Sequence, residues 1–255
     1  MSSPAHAWVV TPRPLPRPRL RLICLPHAGA GASTYFSWAG ALQPDGIEVR
    51  SVQYPGRENR LGEIALADAG AMTRSLADAW PALAGGGPCA LFGHSMGALL
   101  AYELAAELTR RGTAAALGRL FLSGRNPPGT PPRLPPIHHL PDRELIREIA
   151  ARYGNLPPEI LAEPEMIALV TPILRADFRL VETYAPIAHP ELALPLSILG
   201  GVDDPWTSPS ELAGWGARTR GAARVRLLPG GHFFPQTARA AVLDAIRADL
   251  AQGLA

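Results

Sequence analysis

The chain has 255 residues, of which 47% are hydrophobic and 18% are charged, a balance typical of a globular protein and compatible with one large domain spanning residues 1–255. Its formal net charge is only +2 and it contains no lysine, which argues against a nucleic-acid-binding protein and excludes a pyridoxal Schiff base and a Walker A phosphate loop. No apolar run approaches the roughly 18 residues of a membrane span, so no membrane partner is expected.

The start of the chain and its two cysteines bear on localisation. Prolines and arginines interleave between residues 12 and 19, whereas a signal peptide needs an uninterrupted apolar stretch. Cys24 and Cys89 lie in apolar, strand-like runs, and two cysteines do not make a disulfide framework in a domain of this size. We therefore expect both cysteines to be buried and unpaired, and the protein to be cytoplasmic.

Neither a metal nor a cofactor is expected. His138 and His139 are adjacent in a proline-rich stretch and lack cysteine or carboxylate partners at ligand spacing, so they are interpreted as exposed loop residues. The segment Gly29-Ala30-Gly31 follows a predicted strand, but it lacks the third spaced glycine and the acidic ribose ligand of a dinucleotide site.

Strands and helices alternate along the first half of the chain. Apolar spacing predicts strands at residues 19–25, 47–53 and 89–92, and helices at residues 34–42, 66–83 and 96–111. The run at 89–92 is apolar throughout and is followed by a glycine, which is typical of a central parallel strand buried on both faces.

The second half contains an interruption. After a strand at 119–123, residues 125–190 contain a proline-rich loop and helices near 142–153 and 163–184, but no strand pattern. We interpret this segment as a lid insertion over an active site, the alternative being a small structural subdomain. Strands at 194–199 and 224–228 and helices at 211–218 and 237–252 then resume the alternation. The predicted fold is an α/β-hydrolase fold, with a mostly parallel central sheet, helices on both faces and a helical lid insertion.

The most informative motif is Gly93-His94-Ser95-Met96-Gly97, between the apolar strand and a helix rich in alanine and leucine. The two glycines allow strand, corner and helix to crowd together while the serine takes strained backbone angles. This pattern is typical of a nucleophile elbow, which predicts Ser95 as a catalytic nucleophile.

An oxyanion hole in such a hydrolase takes one amide from the residue after the nucleophile and another from a loop after an early strand. Met96 follows Ser95, and Ala28 lies in Pro26-His27-Ala28-Gly29, directly after the first predicted strand. We therefore expect the amides of Ala28 and Met96 to form the oxyanion hole.

A serine nucleophile needs a base, and the base needs a carboxylate to fix its tautomer. His232 follows the strand at 224–228 in a glycine-rich and aromatic loop, whereas His27 neighbours the oxyanion loop and His94 is expected to point away from Ser95. Asp203 and Asp204 both follow the strand at 194–199, and the proline after Asp204 favours that residue as the acid. The order Ser95, Asp204, His232 is that of α/β-hydrolases.

Stretches distributed over nearly the whole chain resemble one known family. They are Leu25-Pro26-His27-Ala28-Gly29, Tyr54-Pro55-Gly56-Arg57 with Arg60, the elbow motif, Ser123-Gly124-Arg125, Arg175-Ala176-Asp177-Phe178 with Tyr184, and Gly231-His232-Phe233-Phe234. The family is the type II thioesterases that accompany modular polyketide and nonribosomal peptide synthases. The resemblance implies an editing thioesterase that hydrolyses acyl groups from the phosphopantetheine thiol of acyl or peptidyl carrier proteins, clearing stalled or incorrect chains. We expect a monomer.

Two other functions remain open at this point. A carboxylic ester hydrolase or an acyltransferase would use the same triad at the same spacing. A non-catalytic binding protein of the same fold should have lost a triad residue or a flanking glycine, and this chain retains them all.

A carrier-protein partner also predicts a docking rim of arginines. Arg57, Arg60 and Arg125 follow successive strands and should gather on the face that holds Ser95, where guanidinium groups could pair with carboxylates or phosphate. The alternative is that they are solvated or pair with acids of the chain itself, such as Glu58 or Asp177.

Overall fold

The computed structural model of the protein describes residues 5–154, 156 and 163–252. Its strands are β1 (Val9–Val10), β2 (Leu20–Leu25), β3 (Ile47–Val52), β4 (Cys89–His94), β5 (Leu117–Ser123), β6 (Leu196–Gly201) and β7 (Ala223–Leu228). They form one sheet in the order β1-β3-β2-β4-β5-β6-β7, and within the described residues β1 alone runs antiparallel to its neighbour. The predicted α/β fold with a mostly parallel sheet is confirmed.

Helices cover both faces of this sheet. They are α1 (Phe36–Leu42), α2 (Ala69–Asp78), α3 (Trp80–Ala84), α4 (Met96–Arg110), α5 (Asp142–Tyr153), α6 (Pro164–Glu182), α7 (Pro209–Ala213), α8 (Phe234–Thr237) and α9 (Arg239–Ala251). Alternate residues of a strand point to opposite faces, so Leu22 and Phe92 pack with α1 and α9, whereas Ile23 and Leu91 pack with α2, α3 and α4. Along the described ranges, none of the helices combines the length and apolar character needed to cross a lipid bilayer.

The structure corrects several element boundaries. The single helix predicted at 66–83 is two helices that meet at Ala79, because Pro81 lacks the N–H that a continuous helix would need there. The helix predicted at 211–218 is α7 followed by a 3₁₀ turn. The closing helix predicted at 237–252 is α9, and the short helix α8 before it was not predicted. Strand β1 was not predicted, because two residues are too few to show a period.

The segment interpreted as a lid insertion, residues 125–190, contains the two predicted helices as α5 and α6. Its residues 155 and 157–162 lie outside the described residues. The two helices pack on each other through a separate apolar cluster of Ile137, Leu145, Ile146, Ile149, Ile167, Leu174 and Phe178. The insertion therefore has its own small core, apart from the two cores that flank the sheet.

Both cysteines lie inside the sheet. Cys24 in β2 and Cys89 in β4 are unpaired and buried, as predicted. Burial raises the pKa of Cys24 well above its ordinary value and raises the pKa of Cys89 to about 12. Neither thiol is therefore ionised near neutral pH.

Candidate active site

Ser95 has a backbone conformation that few residues with a side chain adopt. Strand β4 ends at His94, helix α4 begins at Met96, and Ser95 between them has φ 54° and ψ −112°. A positive φ is energetically costly for any residue with a Cβ, and such strain concentrates at functional sites. The turn is therefore the sharp strand-to-helix corner that the motif predicts.

Two glycines make this corner possible. A Cβ atom on Gly93 would collide with the backbone of Gly97, and a Cβ atom on Gly97 would collide with the carbonyl group of Leu25. The Ser95 amide donates a hydrogen bond of 2.8 Å to the Ser123 carbonyl at the end of β5. The corner is thus held against both neighbouring strands, and Ser95 lines a cavity above the carboxyl ends of the strands.

His232 and Asp204 form a buried pair at the same edge of the sheet. His232 Nδ1 lies 3.0 Å from Asp204 Oδ2, and the two side chains are 7% and 0% exposed. The Trp206 amide and the Thr207 hydroxyl also donate to the Asp204 carboxylate, at 2.9 Å and 3.2 Å. The fixed carboxylate binds Nδ1, which leaves Nε2 as the ring nitrogen able to accept a proton.

The neighbouring Asp203 has a different environment. Its side chain is exposed, and its amide donates a hydrogen bond of 3.1 Å to the Gly230 carbonyl. That bond ties the loop after β6 to the loop after β7, which carries His232. The structure therefore brings Asp204, and not Asp203, to the imidazole.

Ala28 and Met96, the predicted oxyanion-hole residues, stand in the loop after β2 and at the start of α4. The Ala30 amide donates to the His27 carbonyl at 3.1 Å, and Gly29 has φ 78°, so the loop after β2 forms a tight turn around Ala28. Met96 is the first residue of α4, where an amide has no partner within the helix and the helix dipole is positive. Because Ala28 and Ser95 line the same cavity, the two amides can stabilise negative charge that develops beside Ser95.

The cavity has a volume of about 330 Å³ and is mostly apolar. Its polar lining residues are Ser95, His232, His27, Arg125 and Glu182. The segment 125–190 also contributes apolar side chains, which are those of Ile149, Tyr153, Leu156, Val170, Ile173, Leu174, Phe178 and Val181. These lining residues were not singled out from the sequence, although the helical apolar spacing of α5 and α6 is the signal that could have found them. The cavity can hold an acyl chain with its reactive carbonyl beside Ser95.

Arg57 and Arg60 do not lie on an exposed rim, so the docking prediction is wrong for both. Arg57 is 3% exposed and forms a bidentate ion pair with Asp177, at 2.6 Å and 2.8 Å. Arg60 is 4% exposed and binds Glu63 and the Gln53 carbonyl. A buried guanidinium must recover its lost hydration from nearby acceptors, and carboxylates of the chain supply them here.

Arg125, the third residue of the predicted rim, lies elsewhere. It lines the cavity with Ser95, and burial lowers the pKa of its guanidinium. Arg125 therefore faces the space available to a substrate rather than a rim outside it.

His138 also departs from expectation. The sequence predicts an exposed loop residue with no carboxylate at metal-ligand spacing, but His138 is half-buried and its Nδ1 lies 2.7 Å from Oε2 of the distant residue Glu182. The Glu182 carboxylate also accepts the amides of Ile137 and His138, so it closes the proline-rich loop onto α6. His139 is exposed, as expected.

His94 packs against two other histidines, His232 and His27. The His94 ring lies 5.0 Å from the His232 ring and 5.9 Å from the His27 ring, measured between centroids. Burial lowers the pKa of His94 well below its ordinary value and lowers that of His27 to about 4. His94 Nδ1 lies 3.0 Å from the Ser123 hydroxyl. Both imidazoles are therefore neutral at pH 7, and this cluster was not evident from the sequence.

Because these histidines are buried and neutral, we expect the free energy of unfolding to decrease as the pH is lowered from about 6.5 to 5. In that window the unfolded chain takes up protons that the native rings of His27 and His94 do not, so acid favours unfolding. Carboxylates with lowered pKa values, such as Glu107 with a pKa of about 2, change the free energy of unfolding only below about pH 5. Urea unfolding should give a smaller free energy at pH 5.0 than at pH 7.5, with a smaller difference in His94→Gln. An equal difference in that variant would contradict the assignment to His94.

Known proteins resemble this chain over most of its length. The thioesterase domain family model matches residues 20–250. Thioesterase PikA5 of Streptomyces venezuelae is 37% identical over 89% of this chain and 79% of its own length. The gramicidin S biosynthesis protein GrsT of Aneurinibacillus migulanus is 34% identical over 91% of this chain and 89% of its own length.

Solved structures give the same result. The type II thioesterase BorB from the borrelidin biosynthetic cluster superposes with a TM-score of 0.84 at 36% identity, covering 95% of this chain and 97% of that chain. YbtT, a type II thioesterase from the yersiniabactin pathway, gives a TM-score of 0.83 at 28% identity, over 94% and 97%. The resemblance noted in the sequence is confirmed. With the family match running from the first parallel strand to the last helix, the chain belongs to the thioesterase domain family.

Proposed function

We propose that this thioesterase removes acyl groups from the phosphopantetheine thiol of acyl or peptidyl carrier proteins, as an editing enzyme of polyketide or nonribosomal peptide synthesis. One observation carries the proposal: Ser95, with its strained backbone, and His232, paired with the buried Asp204, both line a mostly apolar cavity of about 330 Å³. Relatives from such pathways, including BorB and YbtT, support the choice of a carrier-bound substrate.

The proposed mechanism has two half-reactions. His232 Nε2 takes the Ser95 hydroxyl proton while the oxygen attacks the thioester carbonyl, and the amides of Ala28 and Met96 bind the resulting oxyanion. The carbon–sulfur bond then breaks, His232 returns the proton to the departing thiolate, and the acyl group stays on Ser95. A water molecule deprotonated by His232 attacks the acyl-serine, which releases a carboxylic acid and restores the hydroxyl. Asp204 holds the imidazole in the required tautomer throughout.

The remaining parts of the proposal concern partner and place. Apolar side chains of α5 and α6 favour acyl chains over charged substrates. The unpaired thiols of Cys24 and Cys89 agree with a reducing compartment, and we propose that the enzyme acts as a monomer in the cytoplasm. Its partner is a carrier protein with an acylated arm that reaches the cavity.

A substrate panel tests this function. Purified protein is incubated with butanoyl groups on a phosphopantetheinylated carrier protein, on N-acetylcysteamine and on a simple alcohol, and free butanoate is measured by mass spectrometry. We expect the largest kcat/KM on the carrier protein and none in Ser95→Ala. A preference for the oxyester would indicate an ester hydrolase. Transfer to an added amine or alcohol would indicate an acyltransferase, and no turnover would indicate a binding protein.

A further inference from the structure

Two motifs shared with the family have no part in the mechanism above, and they meet in the structure. Asp177, in the motif Arg175-Ala176-Asp177-Phe178 of α6, is fully buried. Its carboxylate accepts hydrogen bonds from Arg57 Nη1 at 2.6 Å and from Arg57 Nη2 at 2.8 Å. It also accepts one from the Gly29 amide at 2.7 Å. A residue of the lid insertion thus binds both the loop after β3 and the loop after β2.

The Gly29 amide belongs to the peptide group that joins Ala28 to Gly29. The hydrogen bond that this amide donates fixes the plane of the peptide group. It thereby also restrains the backbone of Ala28, whose own N–H is the predicted oxyanion donor. Arg57 Nη1 also donates to the Ala30 carbonyl at 3.2 Å, so the same pair holds the loop on the other side of Gly29. The loop is therefore tied at two consecutive points to one buried ion pair.

Packing adds to these bonds. Leu174, one helical turn before Asp177, lies so near Gly29 that a Cβ there would stand 2.6 Å from Leu174 Cδ2. Gly29 also has φ 78°, which disfavours any other residue. The loop after β2 is thus shaped by α6 through both an apolar contact and a carboxylate.

We propose that Asp177 is a positioning residue that orients the Ala28 amide toward the oxyanion through Gly29, with Arg57 holding the carboxylate in place. This inference rests on the proposed function, since it concerns the oxyanion hole of that reaction. An ionised carboxylate can accept all three hydrogen bonds, whereas an amide at the same position offers one acceptor atom and would turn its NH₂ group toward Arg57 or Gly29. The negative charge at position 177 is therefore needed to hold Arg57 and the Gly29 amide together.

The first test separates positioning from substrate binding. Removal of one oxyanion donor, or its displacement by about 1 Å, costs about 10²-fold in rate. Asp177→Asn should therefore lower kcat on butanoyl-N-acetylcysteamine by about this factor and leave KM nearly unchanged. Asp142→Asn is the matched control, because Asp142 also forms an ion pair with an arginine, Arg175, but its side chain is 61% exposed.

The second test measures the oxyanion directly. A butanoyl trifluoromethyl ketone forms a tetrahedral adduct with a serine nucleophile, and the adduct oxygen occupies the oxyanion hole. Its inhibition constant should rise in Asp177→Asn by the factor by which kcat/KM falls, as expected for a transition-state analogue. Asp142→Asn should change neither value. If Asp177→Asn raises KM while inhibitor affinity is unchanged, Asp177 only shapes the cavity and the inference is wrong.

A second variant tests the same inference in case Asp177→Asn does not fold. Arg57→Lys keeps the positive charge beside Asp177 but loses the bidentate geometry and the bond to the Ala30 carbonyl. It should weaken the inhibitor in the same direction, and thermal unfolding would show that it remains folded. Wild-type protein that forms no serine adduct with the ketone would overturn the proposed function. Wild-type adduct formation with unchanged affinity in both variants would overturn the role of Asp177 alone.

Discussion

Replacement of Ser95 by alanine is expected to abolish covalent labelling and to lower kcat by about 10⁶-fold, as in other serine hydrolases in which the nucleophile is removed. The physical reason is that a water molecule must then replace an oriented hydroxyl, and the acyl-enzyme route is lost. Intact-protein mass spectrometry after treatment with a fluorophosphonate should show one adduct in the wild type and none in Ser95→Ala.

Ser123 supplies the matched control, because it is a second serine near the site and its hydroxyl contacts His94. Its hydroxyl lies 3.0 Å from His94 Nδ1, but the residue is fully buried at the end of β5. Ser123→Ala should therefore still form one adduct. Retention of the adduct in Ser95→Ala, or its loss in Ser123→Ala, would mean that Ser95 is not the nucleophile.

Replacement of Asp204 by asparagine is expected to lower kcat by about 10⁴-fold, because an amide beside Nδ1 permits the wrong imidazole tautomer. In the native structure the Asp204 carboxylate is held by Trp206, Thr207 and His232, so a side chain of the same shape should occupy the same place. Steady-state hydrolysis of butanoyl-N-acetylcysteamine measures the loss, and circular dichroism checks that the variant is folded.

Asp203→Asn makes the same chemical change one residue earlier. Since the Asp203 side chain is exposed and, within the described residues, this residue binds the neighbouring loop through its amide, activity should change little. A larger loss in Asp203→Asn than in Asp204→Asn would exchange the roles of the two aspartates. Equal, small losses would mean that His232 does not depend on either carboxylate.

Most of the fold could be predicted because each element is encoded in adjacent residues. An apolar run, a glycine and a helical pattern suffice to predict β4, the elbow and α4. Predicted element boundaries are wrong where a single residue interrupts the surrounding pattern, as Pro81 interrupts the helix predicted at 66–83. The strand predicted at 194–199 occurs as Leu196–Gly201, since strand pairing, and not composition, decides where a strand ends.

The candidate site was predictable to a smaller extent. Ser95 and His232 follow strands whose ends meet at one edge of the sheet, so their proximity follows from topology. The rim prediction is wrong for Arg57, whereas the alternative named with it, pairing with an acid of the chain such as Asp177, is confirmed, and that acid lies 120 residues further along the chain. The sequence left both possibilities open. Burial of both residues depends on how α6 packs on the loops below it, and no local pattern reports that packing. The three-histidine cluster was missed for the same reason.

The state of the two thiols has a practical consequence for measuring this enzyme. Thiolates react with disulfide dyes and thiols do not, and Cys24 and Cys89 are both buried with raised pKa values. Chromogenic disulfides such as dithiobis(nitrobenzoate) should therefore leave the folded enzyme unmodified. Hydrolysis of an acyl-thioester releases one thiol per turnover, so colour in such an assay counts product alone. The protein also has no lysine, and so carries no side-chain amine that could accept acyl groups from activated thioesters during long incubations.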